Sequence, residues 1–303
     1  MKYAITGGAG FIGSNIVKLL VKNGHKVDII DNLHTGKKDN IKEVFERVNF
    51  HQIDIRNKEG LEKIIQNCDG VFHQAALTAV PESFEKPQEY HDVNVIGTKN
   101  IFEIAKKQSI RVVYASSSSV YGDVKNIPIT ENSDRNPINP YGQTKLDDEI
   151  LAEEFSKNNL QVIGLRYFNV YGIGQTGSYA GVITKFLENI KSEQPFIING
   201  DGNQIRDFIH VEDVAKANLV AMESQTQQEF FNIGTGVGIS INELAKLMIE
   251  ISNHQQGIKH GHALEGDVKI SQANMGHTKK SLNWKHEIDL KSGLRNLIQS
   301  YLS

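Results

Sequence analysis

The stretch Gly7-Gly8-Ala9-Gly10-Phe11-Ile12-Gly13 constrains this chain more than any other. It interrupts a short apolar run, Lys2 to Thr6, and leads into a helical pattern from Ser14 to Lys22. Gly24 ends that helix, and Lys26 to Ile30 reads as a second strand with Asp31 at its tip. Glycines that follow a strand and open a helix, with an acid about 20 residues further on, form the fingerprint of a dinucleotide site. Gly7 and its neighbour allow the tight turn, Gly10 lets backbone approach a pyrophosphate, and Gly13 lets helix and strand pack closely. The helix N-terminus then offers N–H groups and a positive dipole end to phosphates. Asp31 would accept the adenosine ribose hydroxyls, and its charge repels a 2′-phosphate. The pattern therefore predicts NAD rather than NADP.

Strands and helices alternate after Asp31, which implies a parallel sheet covered by helices on both faces. The polar stretch Asn32 to Asn40, with His34, Thr35 and Gly36, suits the adenosine side. Val48 to Ile53 reads as a third strand followed by Asp54-Ile55. An acid there suits either an adenine amino group or the cap of a helix starting near Asn57. Val71 to His73 is a fourth strand running into Gln74-Ala75-Ala76, whose small residues suit a cofactor close to backbone. Pro81 to Tyr90 is a loop or short helix, and Asp92 to Gln108 a long helix with Asn94 near its start. Leu160 to Arg166, Val182 to Glu193 and Phe196 to Asn199 read as strand, helix and strand. Phe208 to Val211 and Phe230 to Ile233 are short strands expected to rejoin the first half. Ser240-x-x-Glu243 is a capping box for a helix ending near Ile251.

The fifth strand, Arg111 to Ala115, ends in Ser116-Ser117-Ser118-Ser119, and Tyr141-Gly142-Gln143-Thr144-Lys145 follows downstream. Residues four apart share a helix face, so Tyr141 and Lys145 point the same way. A free tyrosine, with a pKa of about 10, is a poor base at neutral pH. A neighbouring ammonium and a positive nicotinamide ring favour the phenolate and make it a usable one.

Net charge of −3 gives no nucleic-acid footprint, and no apolar run reaches the roughly 18 residues of a membrane span. The single cysteine, Cys68, reads as structural and agrees with a reducing compartment. An N-terminus that enters a strand at once argues against a signal peptide, so a cytoplasmic location is expected. The three histidines from His254 to His262 have no partners at ligand spacing, so no metal is expected.

Together these residues resemble the extended short-chain dehydrogenase/reductase family, and within it the nucleotide-sugar 4-epimerases. The resemblance also rests on Ser116 to Gly122, on Arg166-Tyr167-Phe168-Asn169-Val170-Tyr171-Gly172 and on Arg206-Asp207-Phe208-Ile209-His210-Val211. It implies an α/β fold: a Rossmann-type doubly wound parallel sheet over residues 1–168, rejoined near 207–233, and a smaller α/β substrate-binding domain over 169–303. It implies Ser117, Tyr141 and Lys145 as the catalytic set, with Tyr141 taking a hydroxyl proton while C4 hydride passes to NAD. Further cofactor contacts implied are Gly7, Gly10, Phe11, Ile12, Asp31, Asn32, His34, Thr35, Gly36, Asp54, Ile55, Gln74, Ala75, Ala76, Thr78, Asn94, Ser116 and Tyr167. The substrate is implied to be a nucleoside diphosphate sugar held by Thr78, Ser117, Ser118, Tyr141, Asn169, Val182, Lys185, Arg206, Asp267 and Ser271. A homodimer is implied as well.

The chain departs from its relatives at two places. Dehydratases of the family carry an acid pair beside the Ser117 position, and decarboxylating relatives a glutamate two places on. Here Ser118 and Ser119 stand there, which leaves 4-epimerisation as the economical outcome. The arginine of the pattern Arg-x-Gly-Asp is replaced in Leu264-Glu265-Gly266-Asp267. A small Ser271, Thr78 and the Gly177-Ser178-Tyr179-Ala180 loop resemble the branch that accepts 2-acetamido sugars. Two other classes fit the same residues: an oxidoreductase that releases NADH, and an NAD-binding regulator without turnover.

Overall fold

In the computed structural model the described residues are 1–175, 181–226, 228–263, 266 and 268–302. The chain begins β1 (Lys2–Thr6), α1 (Phe11–Lys22), β2 (Lys26–Ile30), β3 (Asn49–His51), α2 (Lys58–Ile65) and β4 (Gly70–His73). Next come two short helices, α3 (Val80–Glu85) and α4 (Pro87–Tyr90), a π-helical turn over His91–Ile96, α5 (Gly97–Gln108), β5 (Arg111–Ser117), α6 (Pro140–Lys157) and β6 (Val162–Tyr167). The second half supplies β7 (Asn169–Tyr171), α7 (Val182–Lys191), β8 (Phe196–Asn199), β9 (Ile205–His210), α8 (Val211–Glu223) and β10 (Gln228–Ile233). It continues with β11 (Gly238–Ser240), α9 (Ile241–Ser252), β12 (Ile258–Gly261), β13 (Ile270–Ser271), α10 (Gly276–Leu282) and α11 (Leu290–Leu302).

Seven parallel strands form the main sheet in the order β10-β6-β5-β4-β1-β2-β3. Strand order reverses between β1 and β4, which opens a crevice at the carboxyl ends of the strands. Burial on both faces explains the continuous apolar strands; β6 is buried along its whole length. On one face Ile16, Val17 and Leu20 of α1 join Val214, Ala217 and Ala221 of α8 in a core. On the other, Leu61 and Ile65 of α2 meet Ile101, Phe102 and Ala105 of α5 and Ala152 of α6.

A four-stranded sheet, with β9 between β11 and β13 and β7 also paired to β9, forms a second layer together with the β8–β12 pair. Its core holds Phe186, Phe196, Leu244, Met248, Leu294 and Leu297. Ser240 caps α9, and the reciprocal Glu243 contact completes the capping box.

Several boundaries differ from the sequence reading for physical reasons. α1 starts at Phe11 rather than Ser14, because Gly13 belongs inside it: a Cβ there would lie 2.1 Å from the Gly7 carbonyl oxygen. β3 is shorter than Val48 to Ile53, since the chain leaves the sheet to build the turn around Asp54. The Asp92 to Gln108 helix begins as a π turn. The expectation that Phe208 to Val211 rejoins the first half as a strand is corrected. β9 pairs in the second sheet, and only α8 and β10 return.

Candidate active site

A cleft of about 420 Å³ opens at the strand reversal, between the two sheets. Its floor is the glycine turn. Gly7 has φ +66°, and a Cβ on it would come within 2.8 Å of the Ala75 nitrogen. The turn therefore packs directly on the β4 exit, where Ala75 and Ala76 line the cleft. Gly10 is the N-cap of α1 and supplies no side-chain cap, and the first turn holds no acid. Unsatisfied N–H groups facing a cleft, with no carboxylate to compete for them, fit a pyrophosphate.

Beyond the turn, Asp31 is buried at 6% exposure, and burial pushes its carboxyl above the usual range. One oxygen accepts the Ala9 N–H at 2.9 Å and the other the Leu33 N–H at 2.8 Å. Those contacts aim the carboxylate and leave further lone pairs toward the cleft, where ribose hydroxyls would donate. Asn32, His34, Thr35, Ile55, Phe11 and Ile12 line the same end. The residues present thus fit a dinucleotide.

Another part of the cleft is built by β5 and α6. Asn139 caps α6 by accepting the Gly142 N–H at 2.8 Å, and Pro140 occupies the first turn. Gly142 lets the helix press onto the serine turn, where a Cβ would lie 2.8 Å from the Ser119 carbonyl oxygen. Tyr141, Lys145, Ser116 and Ser117 consequently line one wall. The Ser117 hydroxyl donates to Ser119 Oγ at 3.1 Å and accepts the Ser119 N–H at 3.1 Å. Ser116 donates to Glu149 Oε1 at 2.6 Å, tying strand to helix beneath the site. Tyr167 donates to Gln74 Oε1 at 3.0 Å and so orients another cleft residue. Thr78, Asn169 and Val182 line the side facing the second sheet.

The NAD-dependent epimerase/dehydratase family profile matches residues 3–234 of the sequence. The chain belongs to that family. A relative named as a putative UDP-glucose 4-epimerase, from Methanocaldococcus jannaschii, is 43% identical over 97% of this chain and 96% of its own length. A UDP-glucose 4-epimerase from Thermotoga maritima, solved with UDP-glucose, superposes with a TM-score of 0.95 at 35% identity, covering 100% of this chain and 99% of that one. A UDP-N-acetylglucosamine 4-epimerase from Methanobrevibacter ruminantium, in complex with UDP-N-acetylmuramic acid, has a TM-score of 0.94 at 35% identity over 99% and 98% of the two chains. The chain is accordingly an isomerase of the epimerase/dehydratase family, with NAD as its cofactor.

Not every residue expected in a family site lines this cleft. Gly36 instead packs against Asp31, where a Cβ would come 2.8 Å from both carboxylate oxygens, so its smallness makes room for the acid. Asp54 neither lines the cleft nor caps a helix. It accepts Arg56 Nε and Nη2 at 2.9 and 2.8 Å and Asn32 Nδ2 at 3.0 Å, and the guanidinium holds it down at about 2. Asn57 is the cap, accepting the Gly60 N–H at 3.0 Å. Asn94 is fully buried in the π turn, accepting the Leu77 N–H and donating to the Leu77 carbonyl and Thr144 Oγ1. It positions the β4 exit against α6 and touches the cleft only through them.

Ser118 opens a 3₁₀ turn, half-buried. Lys185 sits on the exposed face of α7, whose inner face is Ile183, Phe186 and Leu187. Arg206 and Ser271 are buried side by side in the second sheet, in register, with Arg206 Nη1 donating to the Ile205 carbonyl. Neither lines this cleft. The Asp207 carboxylate is taken up by Thr235, Gly236 and Ala273. Asp267, Leu264, Glu265 and the Gly177 to Ala180 loop lie outside the described residues.

Arg56, Glu89 and Gln175 line the cleft without having been singled out in the sequence. Arg56 carried a cue, standing two residues after Asp54 in an Asx-type turn. Cys68 is buried and its thiol is raised to about 11 by burial, as a structural cysteine should be. Among the described residues no helix is long and apolar enough to cross a membrane.

Proposed function

We propose that the protein is a UDP-sugar 4-epimerase that inverts C4 through a 4-keto sugar, acting on UDP-N-acetylhexosamines and also on UDP-glucose and UDP-galactose. The observation that carries this reading is that Tyr141, Lys145 and Ser117 line the same cleft as the glycine turn. NAD, when bound, would supply the redox capacity for hydride exchange at C4. The side chains do the rest. Tyr141, whose hydroxyl has no partner among the described residues, takes the O4 proton and later returns it. Lys145 holds a positive charge beside that phenol and favours its ionised form. Ser117 offers a hydroxyl to O4 and steadies the oxygen as its charge changes.

By the family resemblance, eliminating relatives carry an acid–base pair and decarboxylating ones a glutamate beside the Ser117 position. The carboxylates lining the described cleft are Asp31 and Glu89. Asp31 faces the adenosine end, and Glu89 shares the field of Arg56 there. With Ser118 and Ser119 beside Ser117, the keto sugar keeps all its atoms and is reduced from its other face. The likeness to a UDP-N-acetylglucosamine 4-epimerase, together with Thr78 in the lining, supports acetamido sugars as substrates. Ser271, buried in β13 beside Arg206, is not among the residues lining the described cleft. On this reading the enzyme is a homodimer, which light scattering on the holoenzyme checks.

The test of substrate class is the ratio of kcat/KM for UDP-N-acetylglucosamine and UDP-glucose, since that ratio measures discrimination between competing substrates. The proposal expects both to turn over, with values within about two orders of magnitude, a spread set by one substituent's contacts. Turnover of UDP-glucose alone would refute the acetamido assignment.

A further inference from the structure

Lys145 has an unusual neighbour for a lysine that faces a cleft. Its side chain is 4% exposed, and its ammonium donates to Asp148 Oδ2 at 3.1 Å, one turn further along α6. Asp148 is itself 0% exposed, and its Oδ1 has no hydrogen-bond partner. A buried acid with an orphaned oxygen is costly, and a buried ion pair is weak evidence for stability because desolvation offsets the attraction. Such a pair within the site calls for a functional reason.

The surroundings are polar and ordered. The Thr98 hydroxyl, from the start of α5, lies against the Asp148 carboxyl and favours its anion. The same hydroxyl is 2.8 Å from His73 Nε2, while His73 Nδ1 is 2.6 Å from Thr6 Oγ1. Thr6 Oγ1 in turn accepts the Ala75 N–H at 3.2 Å, beside the glycine turn. His73 is fully buried, and burial followed by the Lys145 charge lowers it to about 3, so it is a neutral link. Other groups facing the carboxyl are Asp147 on its own helix and the Tyr114 phenol on β5.

We propose that Asp148 is a positioning residue that fixes the Lys145 ammonium beside Tyr141, and that Thr98, His73 and Thr6 tie this pair to the dinucleotide turn. The inference rests on the catalytic reading of Tyr141 and Lys145. An ammonium on four rotatable bonds has no geometry of its own, and one buried carboxylate at i+3 supplies it. Two of its three donor positions remain for the cleft.

The pH dependence has a definite sign. Burial raises the Asp148 carboxyl to about 6, so acidification through that value neutralises it and releases Lys145. Activity should therefore fall below about pH 6 through this group.

The test is the kcat–pH profile of the NAD-loaded enzyme with UDP-N-acetylglucosamine, for wild type, Asp148→Asn, Thr98→Val and Tyr141→Phe. With Asp148→Asn the account expects retained NAD, a kcat at least about tenfold lower at pH 8, and loss of the acid limb near pH 6. A tenfold loss is a part of the roughly 10²–10⁴-fold that proton transfer contributes. A folded Asp148→Asn enzyme with the wild-type rate and acid limb overturns the proposal. Should that variant not fold, Thr98→Val decides. Without the hydroxyl that favours the anion, the limb should move to higher pH, and an unmoved limb overturns the proposal. If Tyr141→Phe keeps wild-type activity, the catalytic reading falls and this inference with it. If Tyr141→Phe is inactive while Asp148→Asn behaves as wild type, only the inference falls.

Discussion

Glu149 lies one turn beyond Lys145 on α6 and accepts four hydrogen bonds, so Glu149→Gln probes how that helix is held. Its Oε1 accepts Arg166 Nε at 2.7 Å and Ser116 Oγ at 2.6 Å. Its Oε2 accepts Arg166 Nη2 at 2.8 Å and Arg135 Nη1 at 3.1 Å. Glu149 is 0% and Arg166 2% exposed, so the guanidinium has little water to fall back on. Glutamine has nearly the same shape but no charge, and its NH2 would point at an arginine donor. Breaking a buried ion pair on one side costs roughly 3–5 kcal/mol. At about 1.4 kcal/mol per decade that is a roughly 10²- to 4 × 10³-fold loss in the folding equilibrium. It is a large share of the typical total of about 5–15 kcal/mol.

Urea unfolding of wild type and variant, both saturated with NAD, measures it through the midpoint at constant slope. The double variant Glu149→Leu/Arg166→Met should lose less than Glu149→Gln, because an apolar pair leaves no bare charge. A loss under about 1 kcal/mol for Glu149→Gln, with unchanged slope, would refute the reasoning by showing that Arg166 finds other solvation.

Two further outcomes are expected. Tyr141→Phe should bind NAD and UDP-sugar nearly as wild type yet lose roughly 10²–10⁴-fold in kcat; steady-state kinetics with a cofactor-retention assay checks both, and more than a tenth of the wild-type rate would remove Tyr141 as the base. Stripped enzyme should bind NADP at least about tenfold more weakly than NAD, since a 2′-phosphate would meet the Asp31 carboxylate; equal affinities in a calorimetric titration would remove Asp31 from that role.

The cofactor half of the fold was readable because its determinants are local. Gly7 to Gly13, the alternating strands and Asp31 act through backbone turns, periodicity and a fixed spacing, all visible along the chain. The spacing of Tyr141 and Lys145 on one helix was readable for the same reason, being one turn apart. What the sequence hid depends on pairing between distant elements. Glu149 looks like any helix glutamate until Arg166 arrives from β6 and Ser116 from β5. Asn94 looked like a contact for the cofactor, but the π turn buries it against Leu77 and Thr144. Asp54 suited an adenine contact or a helix cap along the chain, but its pairing with Arg56 and Asn32 shows only in the fold. Phe208 and Ile209 give the strand over Ile205–His210 a short apolar stretch, and only its pairing with β7, β11 and β13 places it in the second sheet.

On the proposed reading the reaction inverts C4 with no net redox change. It is tested most directly by an NMR time course of the purified enzyme with UDP-N-acetylglucosamine or UDP-glucose and no added NAD. The account predicts the C4 epimer accumulating to a constant ratio over many turnovers, with no build-up of NADH. A keto sugar formed in one equivalent with NADH, or a product that has lost water or carbon dioxide, would contradict it.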